Sequence, residues 1–423
     1  MSTQVYLNPT KLSILSISRD KYWIFASSIL RLIHREARRT SSGYNTEVSS
    51  GEEGYESGSD DDKFSHESSD NKRLTHKNRC NNSSLSLSNE DITDNSSKPI
   101  GSDSDNEDDI EDEDEEVENY FFHLAFTPHE CTIICSTRLM NLLFKQPLNL
   151  CQQLKYHDCK LIDQVFLSIQ VDSDGSFYNS ERILELTKPL SENRIPLFFF
   201  LTHFNDIVLF PFDLKEKVID ILSQHKFEFS DISNSYILTG VNNEQLDLDI
   251  NDSDRSLEYI TFDTFKKVGI TPIINSRTKL LLTGARSGEI NNTLLKTARV
   301  LSSFDLIPKY FAITRTSLNE ISLILPKSSK IRSSMGFTSK NIIGSTQDVI
   351  VPITIDFSKL PLDSTGIVSG VASKLLYGLR ESNIQTSFEM NYLSMAQSGI
   401  IMIPEENLKI IQSILEDYNE LTE

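Results

Sequence analysis

One pattern of local sequence occurs four times along this chain of 423 residues. Each copy has an apolar stretch, a polar turn and a second apolar stretch, and then continues into the apolar spacing of a helix. The copies begin near Tyr120, Arg194, Lys309 and Ile384. An apolar strand and an amphipathic helix precede each copy, and a closing strand is expected after it. This βαββαβ order is ferredoxin-like, and it predicts an α+β protein of four units in two similar halves.

The second copy contains the most apolar stretch of the chain, residues 194–212, which reads RIPLFFFLTHFNDIVLFPF. A helix that spans a membrane needs roughly 18 consecutive apolar residues. Here Thr202, His203, Asn205 and Asp206 interrupt the run at its middle. Two short apolar segments on either side of a polar turn predict a buried β-hairpin.

The helix before the second copy indicates which of its faces is buried. Ile183, Leu186 and Leu190 recur at helical spacing and are expected to pack on the sheet. In the fourth copy, a longer turn is expected between the two strands of the hairpin.

The predicted division of the chain follows from these units and from two polar segments. The first unit covers 1–37 and 119–162 on either side of an insertion at 38–118, the second unit covers 163–229, a linker covers 230–276, and the third and fourth units cover 277–346 and 347–423. A long surface insertion adds little loop-closure entropy, so the first unit is expected to tolerate the interruption.

The insertion at 38–118 carries most of the net charge of −20. Between Ser41 and Glu118 it contains about two dozen acidic and about six basic residues with few apolar ones, which predicts a disordered segment. The rest of the chain is close to neutral. A nucleic-acid-binding surface needs clustered Lys and Arg, so nucleic acid is not an expected partner.

Serines that precede carboxylates in the insertion are predicted phosphorylation sites for acid-directed kinases. These are Ser59, Ser102 and Ser104. Each phosphate would add about −1.5 to −2 charges. The alternative is an unmodified solubilising loop.

The sequence also bears on location and on metal binding. No signal peptide is expected, since the N-terminus lacks a basic start followed by an apolar run, and membrane insertion is not expected either. Five cysteines without framework spacing favour a reducing compartment, which predicts a cytoplasmic location. Cys131 and Cys135 alternate along a predicted strand, which favours buried structural cysteines over a metal site.

Motifs of catalysis and of cofactor binding are not evident. The segment TGARSG, from Thr283 to Gly288, is expected to form a strand-to-helix turn rather than a phosphate loop. No nucleophile elbow accompanies the Ser, His and Asp residues of the chain. We therefore expect neither a cofactor nor an enzymatic activity.

Two polar groups are candidate ligand-binding residues. Asp363 and Ser364 precede Gly366 where a helix is expected to begin, and the free N–H groups there favour an anion such as an α-carboxylate. The alternative is an ordinary Asp/Ser N-cap. The second group is the polar tip of the 194–212 hairpin, for which the alternative is plain turn chemistry.

Repeated βαββαβ units of this length resemble ACT domains, small modules that commonly bind amino acids at interfaces between units. Four of them, as two pairs, resemble the CASTOR family of cytosolic arginine sensors, here as a divergent, fungal-like member with an acidic insertion. The similarity is closest in LSILSISRDKYWIFASSILRLI, which includes Trp23, in PLSENRIPLFFFLTHFNDIVLFPFDL and in LDSTGIVSGVASKL. It covers nearly all of the chain except the insertion and the central linker.

The resemblance implies that an amino acid binds between the second and fourth units. The hairpin tip of the second unit would face the start of the first helix of the fourth unit. The implied ligand residues are Leu201, Thr202, His203, Asn205, Asp363, Ser364, Thr365 and Gly366.

Two of these positions bear on which amino acid is bound. Leu201 stands where the family has a serine, and Ser364 stands where the family has a glutamate. A guanidinium buried without carboxylates is an unpaired charge that costs several kcal/mol. The residues thus favour an uncharged amino acid over arginine. A second site, between the first and third units at Gly284 to Gly288, is the alternative.

The resemblance further implies a non-enzymatic sensor whose ligand controls binding to a GATOR-like regulatory complex of the TOR kinase pathway. One alternative is a constitutive scaffold whose former ligand sites bind nothing. Another is a detached regulatory subunit of an amino-acid biosynthetic enzyme. The identity of the amino acid and the formation of a homodimer are left open by the sequence.

Overall fold

The structure is a computed structural model of the chain. It describes residues 3–48, 120–172, 179–225, 227–230, 254–361, 363–382 and 389–420. The predicted phosphorylation sites Ser59, Ser102 and Ser104 lie outside these residues, as does most of the predicted insertion.

Four repeats with the order β-α-β-β-α follow one another along the chain. The first contains β1 (Thr3–Ser18), α1 (Tyr22–Val48), β2 (Phe122–Phe126), β3 (Glu130–Ser136), α2 (Thr137–Gln153) and β4 (Cys159–Leu161). The second contains β5 (Phe166–Asp172), α3 (Asn179–Glu192), β6 (Phe198–Leu201), β7 (Asn205–Pro211), α4 (Lys215–Gln224) and β8 (Phe227–Ser230).

A helix and a short strand then precede the other two repeats. They are α5 (Asp254–Val268) and β9 (Ile273–Ile274). The third repeat contains β10 (Leu280–Ala285), α6 (Ile290–Leu301), β11 (Phe311–Arg315), β12 (Ile321–Pro326), α7 (Ser329–Met335) and β13 (Ile342–Ile343). The fourth contains β14 (Ile350–Asp356), α8 (Ile367–Glu381), β15 (Asn391–Ser394), β16 (Ser398–Pro404) and α9 (Leu408–Glu420).

These elements confirm the α+β prediction and the buried hairpin at 194–212. β6 and β7 pair antiparallel, and β7 is buried along its whole length. On α3, the side chains of Ile183, Leu186 and Leu190 are buried as expected. The longer turn expected in the fourth copy is wrong. Residues 395–397 separate β15 from β16, just as 202–204 separate β6 from β7, and the additional residues come before β15.

The strands of all four repeats form one closed ring. The order around the ring is β10-β12-β11-β2-β3-β1-β5-β7-β6-β15-β16-β14, and it closes where Leu280 of β10 pairs with Ile350 of β14. β2 pairs with β11, and β6 pairs with β15. The first repeat is therefore beside the third, and the second is beside the fourth.

The long first strand connects two parts of this ring. Its N-terminal half, Thr3 to Asn8, pairs with β5 and β8 of the second repeat. Its C-terminal half, Leu12 to Ser18, pairs with β3 of its own repeat. An irregularity between Asn8 and Leu12 separates the two halves. A β-bulge bends and twists a strand, which lets one strand belong to two differently oriented parts of a sheet.

Three apolar cores hold the repeats together. One lies between the strands and helices of the first and third repeats, and a second lies between those of the second and fourth repeats. The third core contains residues of strands and their adjoining loops from all four repeats, such as Ile14, Phe200, Ile324 and Met402. Alternate strand residues face opposite sides of a sheet, so this third core fills the face opposite the helices.

Two predicted boundaries differ from the structure. α1 continues to Val48, ten residues beyond the predicted start of the insertion, and Thr40 is fully buried. The predicted linker at 230–276 contains α5 and β9, and β9 pairs with β14. Polar composition suggested a loop in both places. In the first, Thr40 accepts a hydrogen bond from Arg315 of the third repeat, and in the second, Leu257 and Thr261 of α5 pack on Gly370 of the fourth repeat.

Within the described ranges, no helix has the length and apolar character that crossing a membrane requires.

Candidate functional site

The third repeat holds the tip of the second-repeat hairpin. The backbone N–H of His203 donates to Ser322 Oγ at 2.9 Å, and Asn205 Nδ2 donates to Glu320 Oε2 at 3.5 Å. Thr202 closes the turn, because its Oγ1 donates to the Asn205 carbonyl at 2.8 Å. These three predicted ligand residues therefore already have polar partners within the protein.

Two glycines of the third repeat make room for the rings at this tip. A Cβ added to Gly284 would lie 2.5 Å from Phe204 Cζ and 2.7 Å from His203 Cδ2. A Cβ added to Gly344 would lie 3.1 Å from His203 Cε1. Burial lowers the pKa of His203, which favours the neutral imidazole in this slot. The alternative ligand site at Gly284 to Gly288 thus begins with a glycine that is covered by the hairpin.

The fourth-repeat hairpin makes equivalent contacts with the first repeat. The backbone N–H of Ala396 donates to Thr132 Oγ1 at 3.0 Å. The backbone N–H of Gln397 and the hydroxyl of Ser398 donate to the two carboxylate oxygens of Glu130, each at 3.0 Å. Each hairpin tip therefore binds to a strand of a repeat on the other side of the ring.

The two tip contacts share a sequence signal that the sequence analysis missed. Glu130 and Thr132 lie at the start of β3, and Glu320 and Ser322 correspond to them, with Glu320 directly before β12. In both cases a hydroxyl two residues after a glutamate accepts the N–H of the tip. An alignment of the copies ECTIICS and EISLILP would have indicated this pair of residues.

The two contacts differ in burial. Glu130 is 7% exposed and also accepts hydrogen bonds from Ser16 Oγ and Thr132 Oγ1. Burial raises the pKa of the Glu130 carboxyl, and its hydrogen bonds act in the opposite direction. Glu320 is only partly buried. The contact between the first and fourth repeats is therefore the more enclosed of the two.

The other predicted group of ligand residues lies at the start of α8. The backbone N–H and the hydroxyl of Ser364 both donate to the Pro361 carbonyl, at 3.1 and 2.7 Å. Gly366 is the N-cap residue of α8, with a left-handed φ of +81° that glycine tolerates, and it supplies no side-chain cap. Thr261 of α5 donates through Oγ1 to the Gly366 carbonyl at 3.1 Å. The Asp/Ser N-cap considered above is thus not formed.

The structure does not bring the two predicted groups together, although all eight residues are among those described. Phe200 pairs antiparallel with Leu393, so the tips of the second and fourth hairpins lie at opposite ends of their strands. β14 ends at Asp356, opposite Ser398 at the fourth-repeat tip, and the chain continues from there to α8. The start of α8 is therefore expected to lie about one strand length, roughly 20 Å, from the tip at His203.

A cleft at the start of α8 confirms this placement. Asp363 lines an open cavity of 580 Å³ together with Phe212 and Asp213, which follow the far end of β7. Lys11 also lines it, and its ammonium lies 4.3 Å from the centre of the Phe212 ring. The remaining lining residues belong to the connection from β4 to β5 and include Asp163. Asp363 thus meets the second repeat at the end of β7 opposite the hairpin tip.

The cysteines behave as structural residues. Cys131 and Cys135 are fully buried free thiols in the apolar core of the first and third repeats, as expected. Burial raises the pKa of both thiols far above the usual range, so neither forms a reactive thiolate at neutral pH.

Two segments of the chain match a known family of small modules. Residues 161–224 and 345–417 match the family model described as ACT domain. The first range covers most of the second repeat, and the second range covers the fourth repeat except for the last residues of α9. ACT domains are in general ligand-binding regulatory modules.

Beyond this family, the chain resembles solved structures but no curated sequence. No curated protein sequence matches the chain. Among solved structures it is similar to an aspartate kinase from Synechocystis, at 10% identity and a TM-score of 0.23, over 70% of this chain and 49% of the kinase chain. It is also similar to a protein from Agobacterium tumefaciens, at 13% identity and a TM-score of 0.20, over 29% and 91% of the two chains. The chain thus spans about half of the length of the kinase, and these scores carry no argument about function.

Proposed function

We propose that the protein is a non-enzymatic regulatory protein that binds an amino acid between its second and fourth repeats. The observation that carries this proposal is the position of the cleft. Asp363 contributes from one segment that matches the ACT domain, and Phe212 and Asp213 contribute from the other. ACT domains in general bind ligands where two units meet, and this cleft is such a place.

The cleft offers both charges that a zwitterionic amino acid needs. The ammonium of Lys11 can pair with the α-carboxylate, and the carboxylate of Asp363 can pair with the α-amino group. The Phe212 ring, which is 37% exposed, supplies apolar contact.

This position changes the expected side chain of the ligand. Leu201 favoured an uncharged amino acid, but Leu201 is buried near the hairpin tip, at the opposite end of the strands from the cleft. Asp163 and Asp213 add two carboxylates to the cleft beside Asp363. An excess of negative charge favours a cationic side chain, so arginine and lysine become the first candidates.

In the mechanism we propose, the ligand favours one arrangement of the second and fourth repeats and thereby changes the affinity for a partner. A ligand can shift such an equilibrium only by its differential affinity for the two arrangements. The resemblance to the CASTOR sensors leads us to propose a GATOR-like regulatory complex of the TOR kinase pathway as this partner. A cytoplasmic location and the lack of enzymatic activity are part of the same proposal.

A specific observation favours a second function, that of a constitutive interaction scaffold. The residues at the tip of the second hairpin, where the resemblance implied ligand contacts, are engaged by Ser322 and Glu320 of the third repeat. A protein whose former ligand residues hold its own repeats together has no need of a ligand. The regulatory subunit of a biosynthetic enzyme remains the third alternative from the sequence.

A thermal-shift screen of the purified protein against the twenty amino acids separates these functions. A ligand that binds only the folded state raises the melting temperature. At a concentration one hundred times Kd, it stabilises the folded state by about 2.7 kcal/mol. We expect the largest shift with arginine or lysine. A flat screen would favour the scaffold.

Calorimetry on variants then places the ligand. Asp363→Ala and Lys11→Ala should each weaken binding about tenfold or more, because each removes one charge partner of the zwitterion. Asp305→Ala, at an exposed aspartate of the third repeat, is the matched control. Unchanged affinity in the first two variants would place the ligand elsewhere in the protein.

A further inference from the structure

The helices α6 and α8 occupy equivalent positions in the third and fourth repeats. Each follows a glycine in the left-handed region, Gly288 with φ +82° and Gly366 with φ +81°. Counted from these glycines, the same positions are buried against the strands, as with Leu294 and Ala372. Residues at equivalent positions on the outer faces of α6 and α8 can therefore be compared directly.

The outer face of α8 is covered by α5. A Cβ added to Gly370 would lie 2.1 Å from Thr261 Oγ1 and 2.7 Å from the Leu257 carbonyl oxygen, so the two helices cross in close contact there. Lys374, one turn further along α8, forms an ion pair with Glu258 of α5 at 3.1 Å. The helix α5 thus packs an apolar stripe and an acidic side chain against α8.

The equivalent face of α6 has no such cover in the part of the chain that the structure describes. Asn292, Lys296 and Arg299 lie on it at helical spacing, and Asn292 and Arg299 are exposed. Leu295 is 62% exposed, whereas Ser373 at the same position of α8 is buried. We call these four residues of α6 the outer α6 face.

Two large aromatic side chains extend the apolar surface beyond the C-terminal end of this face. Phe304, just after α6, is 54% exposed, and its ring lies 5.6 Å from that of Tyr22 in an edge-on contact. The Tyr22 hydroxyl donates to the Leu301 carbonyl at 2.9 Å, which places the start of α1 at this end of α6. Trp23, the next residue, is 58% exposed. Exposed apolar side chains that lie near one another in this way are a feature of interaction surfaces.

We infer that the outer α6 face docks an amphipathic helix of a partner protein that carries acidic side chains beside an apolar stripe. The contact of α5 with α8 shows that this type of helix fits the equivalent surface. The exposed Arg299 supplies the positive charge that such a helix would meet, as Lys374 meets Glu258, whereas Lys296 already pairs with Glu289 at 3.5 Å.

The inference can be tested with a defined pair of peptides. The probe is a helical peptide of about 15 residues with leucines at helical spacing and flanking glutamates. The control peptide has lysines in place of the glutamates. Trp23 is the single tryptophan of the chain, so its fluorescence reports binding at this end of the face. The full chain is titrated with each peptide.

Saturable binding of the acidic peptide alone is the expected result. Leu295→Asp and Arg299→Glu should each weaken it about tenfold or more, while Ile260→Asp, at an exposed apolar residue of α5, should leave it unchanged. Circular dichroism melting checks that the variants stay folded.

Three results would overturn the inference. One is equal binding of the basic peptide, and another is full retention of binding in Leu295→Asp. The third is the failure of both peptides to bind while the free protein shows a concentration-dependent dimer in sedimentation that Leu295→Asp dissociates. That last result would assign the outer α6 face to a second copy of the chain.

Discussion

The carboxylate of Glu130, in the first repeat, accepts a hydrogen bond from the backbone N–H of Gln397, in the fourth repeat, at 3.0 Å. The same carboxylate accepts from the hydroxyls of Ser16, Thr132 and Ser398. Hydrogen bonds to a charged acceptor are stronger than neutral ones, and the loss of a buried acceptor leaves its donors unsatisfied. Glu130 thus holds the fourth-repeat hairpin to the other side of the ring.

Glu130→Ala should lower the free energy of unfolding by about 3 kcal/mol, because it leaves several buried donors without an acceptor. Urea denaturation measures this change. Glu130→Gln keeps one acceptor oxygen and should be milder. Glu320→Ala is the matched control at the equivalent, more exposed contact, and its loss should be smaller. Equal losses at the two positions would contradict the difference in burial.

His123 should make stability depend on pH. It lies in β2, fully buried, its Nδ1 is 2.8 Å from Thr314 Oγ1, and its ring lies beside that of Phe200. Burial lowers the pKa of His123 to about 3, while the unfolded chain binds the proton near pH 6.5. The stability that comes from burying neutral His123 is fully present above pH 6.5 and is lost as the pH falls toward 3. At pH 5 the loss is about 2 kcal/mol.

The raised pKa of Glu130 has the opposite effect on stability as the pH falls, because the folded state holds the Glu130 proton more readily than the unfolded state does. The comparison must therefore be made between the natural protein and His123→Gln, in urea denaturation at pH 8 and pH 5. The free energy of unfolding should fall less between pH 8 and pH 5 in His123→Gln than in the natural protein. An unchanged pH dependence would show that His123 takes up its proton without unfolding.

Gly370→Ala should separate α5 from α8. The added Cβ would lie 2.7 Å from the Leu257 carbonyl, which belongs to the backbone and cannot move alone. Overpacking of this kind costs about 1–3 kcal/mol, and thermal melting should show it. Asn292→Ala, at the equivalent and exposed position of α6, is the control and should leave the melting temperature nearly unchanged. A neutral Gly370→Ala would mean that α5 packs less closely than the distances indicate.

Arg315→Met should be among the most destabilising single substitutions. Arg315 is fully buried, and its Nη1 lies 2.8 Å from Glu36 Oε2, while its Nη2 donates to Thr40 Oγ1 at 2.9 Å. Burial already raises the pKa of Glu36, with Arg315 acting in the opposite direction. Breaking one side of a buried ion pair costs about 3–5 kcal/mol.

The double variant Arg315→Met with Glu36→Leu tests the reason for this loss. It removes both charges, so it should be more stable than Arg315→Met alone in urea denaturation. If the double variant is instead the less stable of the two, the cost does not come from the buried Glu36 carboxylate, which in Arg315→Met keeps only its contact with Arg39 at 3.4 Å.

Local sequence was sufficient for the elements and for their buried faces. The period of the apolar residues predicted β6, β7 and the packing face of α3, because a period of 2 or 3.6 residues is a property of the backbone itself. The same reasoning placed Cys131 and Cys135 in a core. Two boundaries failed, at Thr40 and at α5, where a partly polar helix is stabilised by contacts with another repeat that no local pattern shows.

What the sequence by itself determined was thus the order of strands and helices and which side of each is apolar. Only the tertiary structure decided which partner each polar residue meets. His203 and Asn205 suit a turn, a ligand or another strand equally well, and the closure of the ring selects the third repeat. Asp363 lies at the far end of β7 for the same reason, because strand partners and register depend on contacts between residues far apart in the chain.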